Sequence, residues 1–515
     1  MISTDRKVSK DLIYDQIGRL LTIGIALSTE KDHNRLLEMI VSEARRFTNC
    51  DAGTLYLKQG EQLEFKIIQN QSLNIFLGGS GEKINLPAVP LKEENISAYV
   101  AISGKSVNIS DVYDCEDFDF SGPRNYDNIT GYHTQSMLVI PMENHEGEII
   151  GVLQLINSLK EDNETIRDFP EYFQRLVESL ASQASIAITN VNLMKDIENL
   201  FNSFIEVMAT AIDSRTPYNA NHTRRVALLA RATALAVNQS STGTWAQEFF
   251  NDQRLEQITM AGWLHDIGKI GTPLSVMNKE TRLDRKLDLV LQRIDYIYQS
   301  EIAASSQRQV ALLKEGKAQD AEKEEQFLIE KLNKIQSIKE LIVKCNHQAT
   351  IIDDDMRKQL HETAEYNYID LSGRERPYIE PGELEQLCVC RGTLTESERG
   401  IIEDHVVITA RMLEKISFIK KYKEVPRFAA MHHEFLDGKG YPLGVAGQDI
   451  PLEVRILTLV DVYDALTARD RPYKKAMSPE DALRIIGFMV EEGKLDAELY
   501  DIFKKHCVWT KIDQE

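Results

Sequence analysis

Apolar residues change rhythm along the chain, and the changes mark its parts. Between 12 and 48 they recur at helical spacing: Ile17, Leu20, Leu21 and Ile25 before a polar break at 28–32, and Leu36, Leu37, Ile40 and Ala44 after it. Stretches of strand character follow at 51–57 and 63–68, joined by a polar turn at 58–61. A second such pair, 137–142 and 149–156, is joined by a turn at 143–147. Between the pairs, 94–103 reads as a short helix or loop. The segment 169–212 has no proline after Pro170 and no glycine, and Leu176, Leu180, Ala184, Ile188, Leu193, Ile197, Leu200 and Val207 give it an apolar stripe. A helical lead, an antiparallel sheet with inserted loops and a long closing helix predict an α+β module of about 150 to 180 residues.

From 201 onward helical patterning dominates, broken at Pro/Gly-rich junctions 271–278, 372–382 and 437–451. Residues 285–366 are highly charged and contain no proline and a single glycine, Gly316. Their clearest part, 322–344, carries Phe327, Leu328, Leu332, Ile335, Ile338 and Leu341 as an amphipathic helix. The expected architecture is multidomain: an α+β domain, then an all-α bundle, joined by a long helix.

Composition sets outer bounds. A chain of 515 residues is too long for one core, and 43% hydrophobic with 27% charged residues is ordinary for a soluble protein. The net charge of -20 argues against polymeric nucleic acid and anionic membranes as partners, but not against a small anion at a metal site. The six cysteines show no framework spacing, and Cys388 and Cys390 lack the second pair a structural zinc needs. The N-terminus has no signal-type apolar core, and no apolar run reaches the roughly 20 residues that span a bilayer. A cytoplasmic location without membrane insertion is expected.

The second half holds the candidate chemistry. Five of the 11 histidines belong to a dispersed set: His222, His265 beside Asp266, His405, and the adjacent His432 and His433, with Asp461 after them. Imidazole nitrogens and carboxylate oxygens are what a pair of divalent metals requires. Such a site makes hydroxide from water and clamps a phosphate, so a metal-dependent phosphoesterase is implied. Neighbouring helical residues point about 100° apart, so His265 and Asp266 serve one pair of ions when the aspartate bridges them. Two adjacent histidines beside a buried face are costly unless both are satisfied, and ligation satisfies both. Asp461 follows the apolar stretch 454–460, with Asp464 one turn on, and needs a strong partner there. Taken singly, His222 and His405 read as surface residues.

Together these motifs resemble the HD-GYP branch of the HD-domain metal-dependent phosphohydrolases, over about 201–505 with the charged insertion excepted. The resemblance is carried by LHDIGKI at 264–270, HHEFLDGKGYP at 432–442 and VDVYDALTARDRPY at 460–473. It implies that His222, His265, Asp266, His405, His432, His433 and Asp461 are the ligands of two divalent metals, iron or manganese. Asp266 is then the bridge; His222, His265 and Asp461 hold one ion and His405, His432 and His433 the other. The implied activity is hydrolysis of cyclic di-GMP to pGpG, in some members on to GMP, with other cyclic dinucleotides preferred by some relatives. Lys269 is implied as a catalytic phosphate contact, and Gly438, Gly440, Tyr441 and Pro442 as a substrate loop, with Arg471 adding positive charge. Two departures stand out: Tyr218 occupies the position of a glutamate in three-metal members, which predicts two metals, and Asn221 stands where glycine is common. The rival reading is a receptor that binds a cyclic dinucleotide or a diguanylate cyclase partner without turnover; a mononucleotide hydrolase is a third. The complete ligand set favours an enzyme.

Residues 15–195 resemble a GAF domain of the kind found in cyclic-nucleotide phosphodiesterases and cyclases, through VNISDVY at 107–113, YDNITGY at 126–132 and GVLQLIN at 151–157. The resemblance implies a ligand pocket at Asn108, Asp127, Thr130, Tyr132 and Asn157. A cyclic nucleotide is one implied ligand, although Ser158 stands where nucleotide binders carry lysine; another effector or a purely dimerising module are the alternatives. The expected layout is a lead at 1–14, the GAF domain at 15–184, a connecting helix at 185–210, and the HD-GYP domain at 211–505 with a helical insertion at 285–390. The stripe near 185–205 predicts a homodimer through the GAF domain and this helix.

Overall fold

The computed structural model describes residues 18, 20–215, 221–468 and 476–514. They form two compact units, Met1–Phe201 and Asn202–Glu515.

In the first unit the alternating stretches become one antiparallel sheet. Its strands are β1 (Cys50–Gln59), β2 (Gln62–Asn70), β3 (Ile75–Leu77), β4 (Val89–Pro90), β5 (Val107–Ile109), β6 (Met137–Glu143), β7 (Ile149–Leu159) and β8 (Ile166–Arg167). The order is β3-β2-β1-β7-β6-β5, with β4 on β2 and β8 on β7. Because successive strand residues face opposite sides, β6 divides cleanly. Leu138 and Ile140 join a core with Leu36, Ile40, Leu55, Leu155, Val177 and Leu180. Met137 and Val139 point the other way, into a second core with Tyr56, Val100, Val112 and Phe120. The first core lies under helix α1 (His33–Thr48) and the opening turns of the long closing helix. The second lies under α2 (Ile96–Ser103) and includes Phe120, which precedes α3 (Ser121–Thr130). Asp32 caps α1 by accepting from Arg35 N, which places the expected polar break just before it.

The closing helix, α4, is one element from Glu171 to Asp213 and contains the whole expected connecting segment. No helix among the described residues is long and apolar enough to cross a membrane.

Among its described residues the second unit is helical apart from one small hairpin, Asn367–Ile369 with Glu375–Pro377. The elements that matter for the site are α5 (His222–Asn238), α6 (Asp252–Leu264), α9 (Glu396–Leu413), α10 (Val425–Ala430) and α11 (Leu452–Thr467). Between α6 and α9 the charged segment folds on itself. Its helices α7 (Leu287–Lys314) and α8 (Ala318–Asn346) close a separate core of Val290, Ile294, Ile335, Ile338, Ile342 and Tyr378. Arg282 fastens the base of this insertion. Its fully buried guanidinium donates to the carbonyls of Val389 (2.9 Å), Cys345 (2.7 Å), His347 (2.7 Å) and Thr350 (2.6 Å). Beside it, Lys279 Nζ meets the Glu398 carboxylate at 2.8 Å.

Candidate metal centre

All seven expected ligands converge, although the chain delivers them from five places. His222 is the first residue of α5, and Asn221 before it has φ +62°, in the left-handed region that glycine favours and asparagine tolerates. His265 and Asp266 follow the end of α6. His405 sits in α9, His432 and His433 follow α10, and Asp461 lies in α11. The turn after Asp266 presses against α9: a Cβ on Gly268 would overlap the His405 carbonyl. Thr409 completes this junction, accepting from Gly268 N at 3.0 Å and donating to the His265 carbonyl at 3.1 Å.

Asp266 is the centre of the arrangement. Its Oδ2 lies 3.3 Å from His222 Nε2 and 3.2 Å from His265 Nε2. Its Oδ1 faces the other way, 3.3 Å from His405 Nε2 and 3.9 Å from His432 Nε2. Asp461 closes both sides: Oδ1 is 3.3 Å from His222 Nε2, and Oδ2 is 3.9 Å from His433 Nδ1. Two groups with the spacing of metal ligands result, His222, His265 and Asp266 in one and His405, His432 and His433 in the other.

The outward nitrogens are tied back. His265, His405 and His432 present Nδ1 to the carbonyls of Gly262 (2.7 Å), Ile402 (2.6 Å) and Ala429 (2.7 Å), and His222 Nδ1 meets Asp464 Oδ2 at 2.7 Å. Such bonds fix the tautomer and turn Nε2 inward. At the centre, Asp266 Oδ1, His405 Nε2 and His432 Nε2 are buried without any hydrogen-bond partner. Three orphaned acceptors pointing at one another are costly in a protein and are what a cation would satisfy. The residues therefore fit a pair of divalent ions.

Protonation in this cage is divided. Burial, reinforced by neighbouring His433 and His265, drives His432 well below the usual histidine range. Burial likewise takes His433 down to about 4. For His222 burial works the same way but is outweighed by Asp266, Asp461 and Asp464, which raise it above the usual histidine range. Asp266 resists the upward pull of burial through His265 and Lys269 and stays a carboxylate.

The loop after the twin histidines is built from below. Glu434, buried, accepts from Leu443 N at 2.7 Å and Val445 N at 3.0 Å. A Cβ on Gly440 would lie 2.5 Å from both Glu434 Cα and the His433 carbonyl oxygen, so only glycine allows this approach. Gly438 turns the chain at φ +74°. The Tyr441 ring packs on His433, centroids 4.8 Å apart, just before Pro442. Lys269 ion-pairs with Asp266 Oδ2 at 2.5 Å. The expectations resting on Tyr218 and Arg471 lie outside the described residues. Sequence reasoning missed the orienting role of Asp464, the Arg225 guanidinium that grips it (Nε to Oδ1, 2.6 Å), and the loop anchor Glu434. The spacing of Asp461 and Asp464, one turn apart on the same helix face, carried the signal for Asp464.

The expected GAF pocket needs correction. A cavity of ≈ 780 Å³ does lie between sheet and loops, but of the five expected residues only Tyr132 lines it. Asn108 is exposed and donates to the Phe169 carbonyl at 2.9 Å. Asp127 is used up by Thr134 N (2.7 Å), Thr134 Oγ1 (2.8 Å) and Tyr113 OH (2.9 Å). Thr130 is exposed at the end of α3, and Asn157 holds the 132–135 loop by donating to the His133 carbonyl at 2.7 Å. Asn108, Asp127 and Asn157 are thus engaged in bonds within the domain.

Family models agree with this division: a GAF domain model matches 32–188, and two HD domain models match 219–333 and 379–499. The chain therefore carries a GAF domain followed by an HD domain. Among curated proteins it resembles the 3'3'-cGAMP-specific phosphodiesterase 3 of Vibrio cholerae, 40% identical over 114 residues, which are 22% of this chain and 24% of that protein. A probable cyclic di-GMP phosphodiesterase of the same organism is 44% identical over 103 residues, 18% of this chain and 22% of the relative. The chain thus spans about a quarter of the length of these relatives. A solved GAF domain from an Acinetobacter phosphoenolpyruvate-protein phosphotransferase aligns over 35% of this chain and 97% of its own, at 17% identity and a TM-score of 0.27.

Proposed function

We propose that the protein is a metal-dependent phosphodiesterase that hydrolyses cyclic di-GMP to pGpG, and in a further step to GMP, under control of a small ligand of its GAF domain. The observation that carries this reading is Asp266, whose two oxygens face separate histidine groups while Oδ1 and two inward Nε2 atoms stay without a hydrogen bond. Two divalent ions, iron or manganese, bound there would supply hydroxide at neutral pH and a Lewis-acid clamp on the phosphodiester. His222, His265 and Asp461 would hold one ion, and His405, His432 and His433 the other, with Asp266 between them. The chain's own contributions are orientation and charge. Lys269, one turn from His265, offers an ammonium to a phosphodiester oxygen as negative charge builds up there. Tyr441 presents an aromatic face beside His433 on which a guanine can stack.

The names of the relatives, one acting on 3'3'-cGAMP and one on cyclic di-GMP, support a cyclic dinucleotide as the substrate class. The test offers cyclic di-GMP and 3'3'-cGAMP to protein loaded with Mn(II), or anaerobically with Fe(II), and follows products by chromatography. Cyclic di-GMP is expected to be cleaved faster. Absence of turnover with two metals bound per chain overturns the enzyme, and faster cleavage of 3'3'-cGAMP overturns the substrate.

The working form is a homodimer along α4. Leu193, Ile197, Leu200, Phe204 and Val207 are all exposed, Leu200 by 73%, and follow one another at alternating steps of four and three residues. That is the seam of a two-stranded coiled coil, and a second copy of the same helix covers it. Sedimentation equilibrium of the full chain is expected to give the dimer mass, and Leu200→Glu the monomer.

A further inference from the structure

The GAF cavity carries little charge, and several of its polar groups are already bonded within the protein. Phe65, Ile68, Leu77, Ile96, Phe120 and Ile156 are among its apolar lining. On the floor, Tyr56 OH donates to Gln154 Oε1 at 2.8 Å, and Gln154 Nε2 to Met137 Sδ at 3.0 Å. Tyr132 OH is directed away, to Asp51 Oδ2 at 2.7 Å. Two lining residues carry charge, Lys83 and Asp119; both are exposed, and their signs cancel.

An anion would look for backbone N–H groups at helix N-termini. Two helices begin at this cavity, and both are closed from within. Asn95 Oδ1 accepts from Ser97 N at 3.0 Å and Ala98 N at 3.2 Å at the start of α2. At the start of α3 the Asp119 carboxylate accepts from Ser121 N at 2.8 Å, which puts a negative charge where a phosphate would sit. Moving a phosphate into such a space removes its hydration without a compensating partner. At the mouth, Leu86 is 52% exposed, an apolar side chain facing solvent at the entrance.

We infer that the GAF domain takes an uncharged, predominantly apolar small molecule, and not a cyclic nucleotide. A cavity of ≈ 780 Å³ suits a ligand of drug-like size, held by shape and apolar contact. The inference stands on the first unit alone and does not depend on what the second unit hydrolyses.

The test uses the full chain and the uncharged fluorophore N-phenyl-1-naphthylamine, whose emission rises in apolar surroundings. Saturable binding of about one probe per chain is expected, unaffected by millimolar cAMP or cGMP. Ala88→Trp, at the half-exposed mouth, is expected to weaken binding at least tenfold, and Leu86→Asp several-fold. Leu86 is exposed and Ala88 half-exposed, and thermal unfolding of each variant checks that the domain is intact. Displacement of the probe by cAMP or cGMP overturns the inference; so does binding that both variants leave unchanged, or no saturable binding. Because no substrate is present, none of these outcomes bears on the phosphodiesterase reading.

Discussion

His222 Nδ1 and Asp464 Oδ2 lie 2.7 Å apart, and this bond sets which way the first metal ligand faces. Asp464 is itself gripped by Arg225, so the imidazole is oriented through two successive side chains. Asp464→Ala is expected to lower metal affinity by about 10–100-fold, as loss of an outer partner of a ligating histidine does. Asp464→Asn, which keeps an acceptor, should recover most of it. Metal content per chain after dialysis, alongside unchanged circular dichroism, checks the positioning role; equal metal content in wild type and Asp464→Ala would refute it.

Asp266→Ala removes the carboxylate shared by both histidine groups. Turnover of cyclic di-GMP is expected to vanish, and bound metal to fall in both positions rather than one. Loss of one ion alone would show that the two groups do not share this residue.

Metal binding is expected to stabilise the fold, because ions bound by the folded state alone shift unfolding by mass action. At a free concentration a hundredfold above Kd, each site contributes about 2.7 kcal/mol. Scanning calorimetry should therefore show Tm rising with added Mn(II) and falling on chelation. A Tm indifferent to both would mean that the cage is satisfied some other way.

Gly440→Ala forces a methyl against Glu434 Cα and the His433 carbonyl. Overpacking of this kind costs about 1–3 kcal/mol. The expected result is a lower Tm together with a loss in kcat/KM, since the displaced backbone carries Tyr441 off His433. Unchanged values for both would show that the loop has room to spare.

Cysteine reactivity should follow burial. Burial pushes the Cys50 thiol up to about 11, which disfavours the reactive thiolate at pH 8. Cys390 and Cys507 are exposed. Iodoacetamide at pH 8 is expected to modify these two and spare Cys50 until denaturant is added, as read by peptide mass spectrometry.

Much of this was legible in sequence because it follows from local chemistry. The twin histidines at 432–433 and the pair at 265–266 are unusual enough beside apolar stretches to announce a shared burden, and the structure brings them together. The break before α1 and the alternation in β6 follow from spacing alone. Residues that act across long separations were harder to see. Asp464 reaches His222 from 242 positions away, and nothing near either one indicates the pairing. The GAF motif residues misled for a related reason: Asp127 and Asn157 are polar and buried, which suits a ligand or an internal bond equally well, and only the surrounding backbone decides. The 367–377 hairpin begins just past the charged 285–366 stretch and runs into the Pro/Gly-rich junction at 372–382, inside the expected helical insertion.

The insertion closes upon its own entrance. Arg282 on the way in is bonded to the Val389 carbonyl on the way out, and Lys279 to Glu398, while the intervening helices keep a core of their own. A segment whose two ends meet can be lengthened, shortened or exchanged without moving the walls it hangs from. Substitutions inside α7 and α8 are therefore borne by the insertion's own core and leave the residues that hold the cage where they are.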